Sequence, residues 1–264
     1  MATNNLNICL FPMELIWNDV NVNIHNLEKA LEDLHPHTDL VILPETFLTG
    51  YPSNSTKEHI KALIQRNEDT ALERIKTLAR NNNVAITGSL IIELDEKLFN
   101  RAFFIEPTGD VYYADKKHLF SMAGEDKVFK AGDKRMKVRF RGWNISLIVC
   151  YDIRFPVWCR NRENEYDFLI VVANWPKVRI DAWNKLLPAR AIENTAYVAG
   201  VNCKGIDDHS YEYDGSSHIY DFKGKEIGVR VGSFIYASLA HDKLDKFRDK
   251  FPVWKDADKF WLEN

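Results

Sequence analysis

Three residue types that could together carry out acyl transfer stand at the ends of apolar runs in this sequence. Cys150 follows "SLIV" (146–149), a β-branched run of the kind that forms a buried strand and delivers a sulfur to its end. A thiol between a strand and the helix expected around Trp158 would feel that helix's dipole, which lowers its pKa and favours the thiolate. Glu45 follows "LVILP" (40–44), and a carboxylate beside Phe47, Tyr51 and Pro52 would be partly desolvated, its pKa raised toward that of a general base. Lys116 and Lys117, followed by His118, emerge from the tyrosine-rich run "VYYAD" (111–115), where an ammonium could stabilise an oxyanion or a neighbouring thiolate. Taken singly, each has an ordinary structural reading: a packed cysteine, a solvated strand cap, a charged strand edge. Taken together, they supply nucleophile, base and cation.

The elements that must position them are strand-like runs at 6–11, 39–45, 84–93, 98–107, 111–117, 144–150, 167–174, 197–203, 217–222 and 234–239. Helix-like stretches with apolar residues at three and four spacing cover 23–34, 70–81 and 181–196. Gly109 in "EPTGDVYY" and Gly224 in "YDFKGKEIG" mark hairpin turns. Strands and helices alternate through much of the chain, so the fold class is mixed α/β. Pro188 should cost its helix about 3 kcal/mol or kink it, which predicts two segments with the second starting near Pro188.

No composition shift or linker divides the 264 residues, which reads as one domain over 1–264 with a substantial core. A formal charge of −3 with no basic stripe argues against a nucleic-acid partner. Neither a charged leader followed by an apolar segment nor a membrane-length apolar run is present, which predicts a cytoplasmic protein without membrane partners. The cysteines at 9, 150, 159 and 203 lack metal-type spacing; Cys9 and Cys203 read as buried small hydrophobes, and Cys159 as a helix-face residue. The eight histidines show no zinc-type pairing, and thiol chemistry of this kind requires no metal or organic cofactor. A metal-dependent phosphoesterase would need strand-end carboxylates and histidines converging on Mg²⁺, which are not evident, and a non-catalytic binding protein has no support beyond the general independence of fold and function.

The chain resembles the nitrilase, or carbon-nitrogen hydrolase, superfamily. "LPETFLTGY", "DKKHLF" and "VCYDIRFP" are similar, in family order, to its glutamate, lysine and cysteine blocks, and "NRAFFIEPTGD", "GEDKVFKAG", "VANWPKVRIDAW" and "ARAIENTAYVAGVN" extend the match over most of the chain. The resemblance implies Glu45 as general base, Lys116 rather than Lys117 as the catalytic lysine, Cys150 as nucleophile and Glu125 as a second glutamate positioning substrate and lysine. It also implies a four-layer α-β-β-α sandwich that pairs with a second copy. Pro188 departs from the family pattern. The tail "LDKFRDKFPVWKDAD" is similar to that of the omega-amidase branch, and its aromatics Trp254, Phe260 and Trp261 suit an oligomer interface within 241–264 or a segment folded back on the body.

That branch implies hydrolysis of the terminal amide of a short dicarboxylic acid monoamide such as 2-oxoglutaramate through a thioester, with a backbone N–H near Tyr151 helping Lys116 hold the oxyanion. The alternative is a related hydrolase acting on another amide, such as deaminated glutathione or an N-carbamoyl compound. Arg154 could bind the substrate carboxylate or serve a structural ion pair, and Phe47, Tyr51 and Trp175 could be pocket walls or plain core.

Overall fold

A computed structural model describes residues 5–51, 55–65 and 68–261; Pro52, expected beside Glu45, lies outside them. In chain order the strands are β1 (Asn5–Leu10), β2 (Leu40–Ile42), β3 (Ala85–Leu94), β4 (Lys97–Ile105), β5 (Val111–Asp115), β6 (Met136–Phe140), β7 (Trp143–Val149), β8 (Phe168–Ala173), β9 (Tyr197–Asn202), β10 (Lys204–Ile206), β11 (Glu212–Asp214), β12 (His218–Tyr220), β13 (Val229–Val231) and β14 (Phe234–Ala240). The helices are α1 (Val20–Leu31), α2 (Lys57–Gln65), α3 (Glu68–Asn81), α4 (Glu125–Val128), α5 (Pro156–Cys159), α6 (Ile180–Asn194) and α7 (His241–Lys250).

Among the described residues the strands form a seven-stranded sheet in the order β13-β14-β1-β2-β3-β4-β5, a five-stranded sheet in the order β12-β9-β8-β7-β6, and the small pair β10-β11. The centre of each large sheet is parallel: Ile8 pairs Leu40 and Leu40 pairs Ala85 in one, Ile145 pairs Phe168 and Phe168 pairs Tyr197 in the other. Strands covered on both faces need apolar residues throughout, which is why β8 reads "FLIVVA" without a polar break and is buried along its whole length.

The period of two sorts each strand between two cores. Leu6, Ile8 and Leu10 of β1 face Leu147, Val149, Ile170 and Val172 across the gap between the sheets. Cys9 of β1, with Val41 and Ile86, packs outward on Ile24 and Leu27 of α1 and Ile75 of α3. Ile148, Leu169 and Val171 pack outward on Trp183, Leu187 and Ala191 of α6. The architecture is therefore the α-β-β-α sandwich that the resemblance implied. Cys9 and Cys203 are free and buried, as expected of small hydrophobes.

Pro188 is accommodated within one continuous α6, not at a break between two segments. Burial of Trp183, Leu187 and Ala191 at four-residue spacing holds the helix against the sheet across the missing N–H. Gly200 of β9 makes that approach possible, since a Cβ there would lie 2.6 Å from the Leu187 methyl groups.

Candidate active site

Glu45, Lys116 and Cys150 come together where the two sheets meet. Glu45 lies three residues beyond β2, at the carboxyl end of a parallel strand in the larger sheet. The turn that carries it is fixed by Thr46, whose backbone adopts φ 40°, whose N–H donates to Ser89 Oγ at 2.9 Å, and whose carbonyl accepts from Thr49 and Gly50. Lys116 follows β5 on the same sheet and is only 2% exposed. Its N–H donates to Asn100 O, and its carbonyl accepts from Gly132 at 2.8 Å. Any side chain at Gly132 would strike the Asp115 carbonyl at 2.2 Å, so a glycine is required where that loop covers the lysine.

Cys150 directly follows β7 in the other sheet, at φ 44°, a left-handed conformation that a non-glycine residue adopts at a cost. The chain then turns through a 3₁₀ segment, Cys150–Arg154, into α5. Asp152 fixes this elbow: it accepts from Val149 N at 3.1 Å and from His118 N at 2.8 Å, and its Oδ1 lies 2.7 Å from the His118 ring. His118 stacks on Phe155 at 3.7 Å between centroids, so the lysine-bearing and cysteine-bearing loops are clamped to each other.

The Lys116 ammonium donates to Glu45 Oε1 at 2.9 Å and to Glu125 Oε1 at 2.8 Å. Glu45 also accepts from Asn100 Nδ2 at 2.7 Å and from the Asn174 main-chain N–H at 2.9 Å. Glu125 accepts from Phe120 N at 2.6 Å, which closes the 120–125 loop over the lysine. Two buried carboxylates flank one ammonium. Burial alone would push the lysine pKa down, but the charges of Glu125 and Glu45 outweigh it and hold Lys116 well above the ordinary lysine value. Burial raises the Glu125 carboxyl against the pull of Lys116.

The thiol behaves otherwise than the helix dipole predicts. Burial, and then the charge of Glu45, hold Cys150 well above the ordinary cysteine value, and the attraction of Lys116 does not reverse this. The physical reason is the length of the helix: a five-residue 3₁₀ segment followed by the four-residue α5 carries little macrodipole, while two carboxylates stand close by. Both effects favour the neutral thiol at Cys150, whose Sγ donates to the Asn174 carbonyl at 3.9 Å.

These groups open on a cavity of about 480 Å³ lined also by Tyr51, Tyr151, Arg154, Trp175 and Arg179. Tyr51 lies against Lys116, its ring centre 5.6 Å from the ammonium. Arg154 stacks on Trp175 at 4.8 Å and forms no ion pair among the described residues, so of its two readings the structural ion pair has no partner here. Tyr151 packs on Phe120, and its N–H falls in the first turn of the 3₁₀ segment, where no intrahelical acceptor exists. Phe47 is corrected: the left-handed turn at Thr46 sends it into the outer core against Phe103, 6.2 Å between ring centres, and away from the cavity. Lys117 is set apart from Lys116, its ammonium lying over the Trp158 ring.

Sequence reasoning assigned no role to Asn100 and Asn174, which between them fix the Glu45 carboxylate. The signal was there in each case, an amide inside or directly after a buried apolar strand, where its hydrogen bonds must be satisfied locally. Among the described residues no cluster of three or more His, Cys, Asp or Glu is placed to hold a metal ion, and no helix is long and apolar enough to cross a membrane.

Comparison with known proteins agrees with this geometry. The carbon-nitrogen hydrolase family matches residues 6–232. The chain is 38% identical over 260 residues to the omega-amidase YafV of Escherichia coli strain K12, covering 97% of this chain and 98% of that protein. It is 30% identical to the 2-oxoglutaramate amidase of Bacillus subtilis strain 168, over 96% of this chain and 97% of that one. Among solved structures, XC1258 of Xanthomonas campestris, a CN-hydrolase superfamily protein crystallised with an arsenic adduct in its active site, superposes with a TM-score of 0.90 at 36% identity, over 98% of this chain and 99% of that one. The sandwich, the strand-end glutamate, lysine and cysteine, and these matches together make the chain a member of the carbon-nitrogen hydrolase (nitrilase) superfamily in its omega-amidase-like branch, an enzyme acting on amides.

Proposed function

We propose that this enzyme hydrolyses the terminal amide of a short dicarboxylic acid monoamide, 2-oxoglutaramate foremost, to the diacid and ammonia through a thioester on Cys150. The observation that carries the reading is the opening of Glu45, Lys116 and Cys150 onto one cavity whose wall presents the guanidinium of Arg154, unpaired among the described residues. The names of the relatives, an omega-amidase and a 2-oxoglutaramate amidase, support the same substrate class.

A neutral thiol is a poor nucleophile, so its proton must leave as the sulfur attacks. Glu45 takes that proton while Sγ bonds to the amide carbon, and the carbonyl oxygen becomes an oxyanion held by the Lys116 ammonium and the Tyr151 N–H. Glu45 returns the proton to the leaving nitrogen and ammonia departs. A water then gives a proton to Glu45 and its oxygen to the thioester carbon; collapse expels the sulfur, which recovers the proton, and the carboxylic acid is released. Glu125 keeps Lys116 aimed and charged throughout.

Cys150→Ala is expected to abolish ammonia release, with Cys150→Ser as a second probe. Turnover near wild type in Cys150→Ala, or a trapped acyl mass on another peptide, would remove the nucleophile assignment. A kcat/KM for 2-oxoglutaramate no better than for glutamine or a simple aliphatic amide would remove the substrate class. The same reading takes the chain as one catalytic domain that works as a homodimer, supported by the tail, where Trp261 is 88% exposed. Light scattering coupled to size-exclusion chromatography checks this, and a strict monomer contradicts it.

A further inference from the structure

Arg179 was not among the residues expected at the site, yet it lines the same cavity as Cys150 and Arg154. It ends a short 3₁₀ turn, Lys177–Arg179, at the entrance to α6, and its carbonyl accepts from the Trp175 indole N–H at 2.8 Å. Trp175 is the ring on which Arg154 stacks, so one indole fixes the backbone of one arginine and the guanidinium of the other. The Arg179 guanidinium stacks over Phe120 at 5.3 Å. Phe120 belongs to the loop whose N–H holds Glu125, and that loop covers Lys116.

Elsewhere, the arginines that reach inward are committed: Arg190 and Arg248 donate to backbone carbonyls and pair with Glu193 and Asp167. Arg154 and Arg179 have neither a carboxylate nor a carbonyl acceptor among the described residues. The acidic groups on the cavity wall are already engaged. Glu45 is bound to Lys116, and Asp207 accepts from the Tyr213 hydroxyl and the N–H groups of His209 and Tyr211. A guanidinium held over a ring with no acceptor engaged has N–H groups left to offer, and their fork matches a carboxylate in two-point geometry. Two such cations on one wall exceed what a single carboxylate oxygen pair requires. They suit a carboxylate with a carbonyl oxygen beside it.

We propose that Arg179 is a specificity-determining residue that binds the free end of the substrate jointly with Arg154, selecting amides that carry a 2-oxo acid. This rests on the amidase reading above. The test measures kcat/KM for 2-oxoglutaramate and for neutral butyramide in wild type, Arg179→Gln, Arg179→Lys and Arg154→Gln, with ammonia release as the readout. The expected result in Arg179→Gln is a fall of at least about 30-fold in the preference for the acid, carried mainly by KM, as for loss of a charge-assisted contact. Arg179→Lys should recover part of it, since the charge remains and the planar fork does not. An Arg179→Gln enzyme that loses activity equally on both substrates has lost structure, not selection, and the proposal falls. It falls too if Arg179→Gln keeps the wild-type preference, whether or not Arg154→Gln loses it. A wild type that does not prefer the acid over butyramide overturns the amidase reading itself, and this inference with it.

Discussion

Asn174 holds Glu45 at two levels: its main-chain N–H donates to the carboxylate at 2.9 Å, and its side-chain amide donates at 3.0 Å to the carbonyl of the same residue. A further bond from the amide to Thr46 Oγ1, 2.9 Å, pins the turn beyond. Asn174 stands at the carboxyl end of β8 and Glu45 beyond that of β2, so the pair staples one sheet to the other at the point of chemistry.

Asn174→Ala keeps the main-chain bond and loses the two from the side chain. At about 1 kcal/mol each for buried hydrogen bonds, the variant should lose about 2 kcal/mol of stability. For a chain of this size that lowers Tm by roughly 4–8 °C in a thermal melt. Misplacing Glu45, the proposed base, should cost kcat more than KM, by about 10-fold or more. An unchanged kcat with a lowered Tm would confine Asn174 to the scaffold.

Lys116→Met leaves the Glu45 and Glu125 carboxylates facing each other in a buried site without their cation. Breaking a buried charge cluster in this way should cost about 3–5 kcal/mol, measured by urea unfolding, and should abolish turnover. Adding Glu125→Gln removes one of the opposed charges, so the double variant should regain part of the stability and none of the activity. If the double variant is less stable than Lys116→Met, the electrostatic account of the cluster is wrong.

The raised pKa of Cys150 has a direction that alkylation can read. A thiol held above the ordinary value of about 8.5 carries less thiolate at any given pH, so iodoacetamide inactivation of the resting enzyme should still be accelerating beyond pH 9. Glu125 contributes to that rise, and Glu125→Gln should move the profile to lower pH. A wild-type profile that levels off below pH 8 would count against a neutral resting thiol.

Much of this arrangement is legible in the sequence because the residues proposed to react sit where apolar periodicity stops, and the end of a buried strand is a place that a sequence can mark. Cys150 after "SLIV" and Glu45 after "LVILP" are of that kind. Lys116 was separated from Lys117 by resemblance; the structure gives the reason in burial, with one ammonium between two carboxylates and the other over the Trp158 ring. What was not legible depends on pairs far apart in the chain. Asn174 and Glu45 are 129 residues apart, and no local pattern announces their contact. The three-residue strands β10, β11 and β13 are too short to show a period, and α7, "HDKLDKFRDK", buries only Leu244 and Arg248, too little to mark an apolar face. The sequence leaves Phe47 open between pocket wall and core because its direction depends on the left-handed turn at Thr46, a conformation that a threonine does not signal.

Cys9 and Cys159, packed away from the cavity, make a prediction about stability. Burial raises both thiols from 9.0 to about 12. The unfolded chain releases these protons near pH 9 and the folded chain near 12, so their contribution to stability is complete below pH 9 and is lost as pH rises between the two values. Three units correspond to on the order of 4 kcal/mol per thiol across that window. Urea unfolding at stepped pH should show a shallower alkaline decline in Cys9→Ala than in wild type. Parallel slopes in the two proteins would exclude Cys9 as a contributor.

Glu45, Asn100 and Lys116 hang from the seven-stranded sheet, and Cys150 and Asn174 from the five-stranded sheet. Catalytic competence is thus a report on assembly. On the proposed mechanism neither half-sandwich holds a complete set of reacting groups, so a partly folded chain with a single ordered sheet should not hydrolyse an amide, however native its circular dichroism. During refolding, return of ammonia-releasing activity times the docking of one sheet upon the other, a step that spectroscopic signals of strand formation do not isolate.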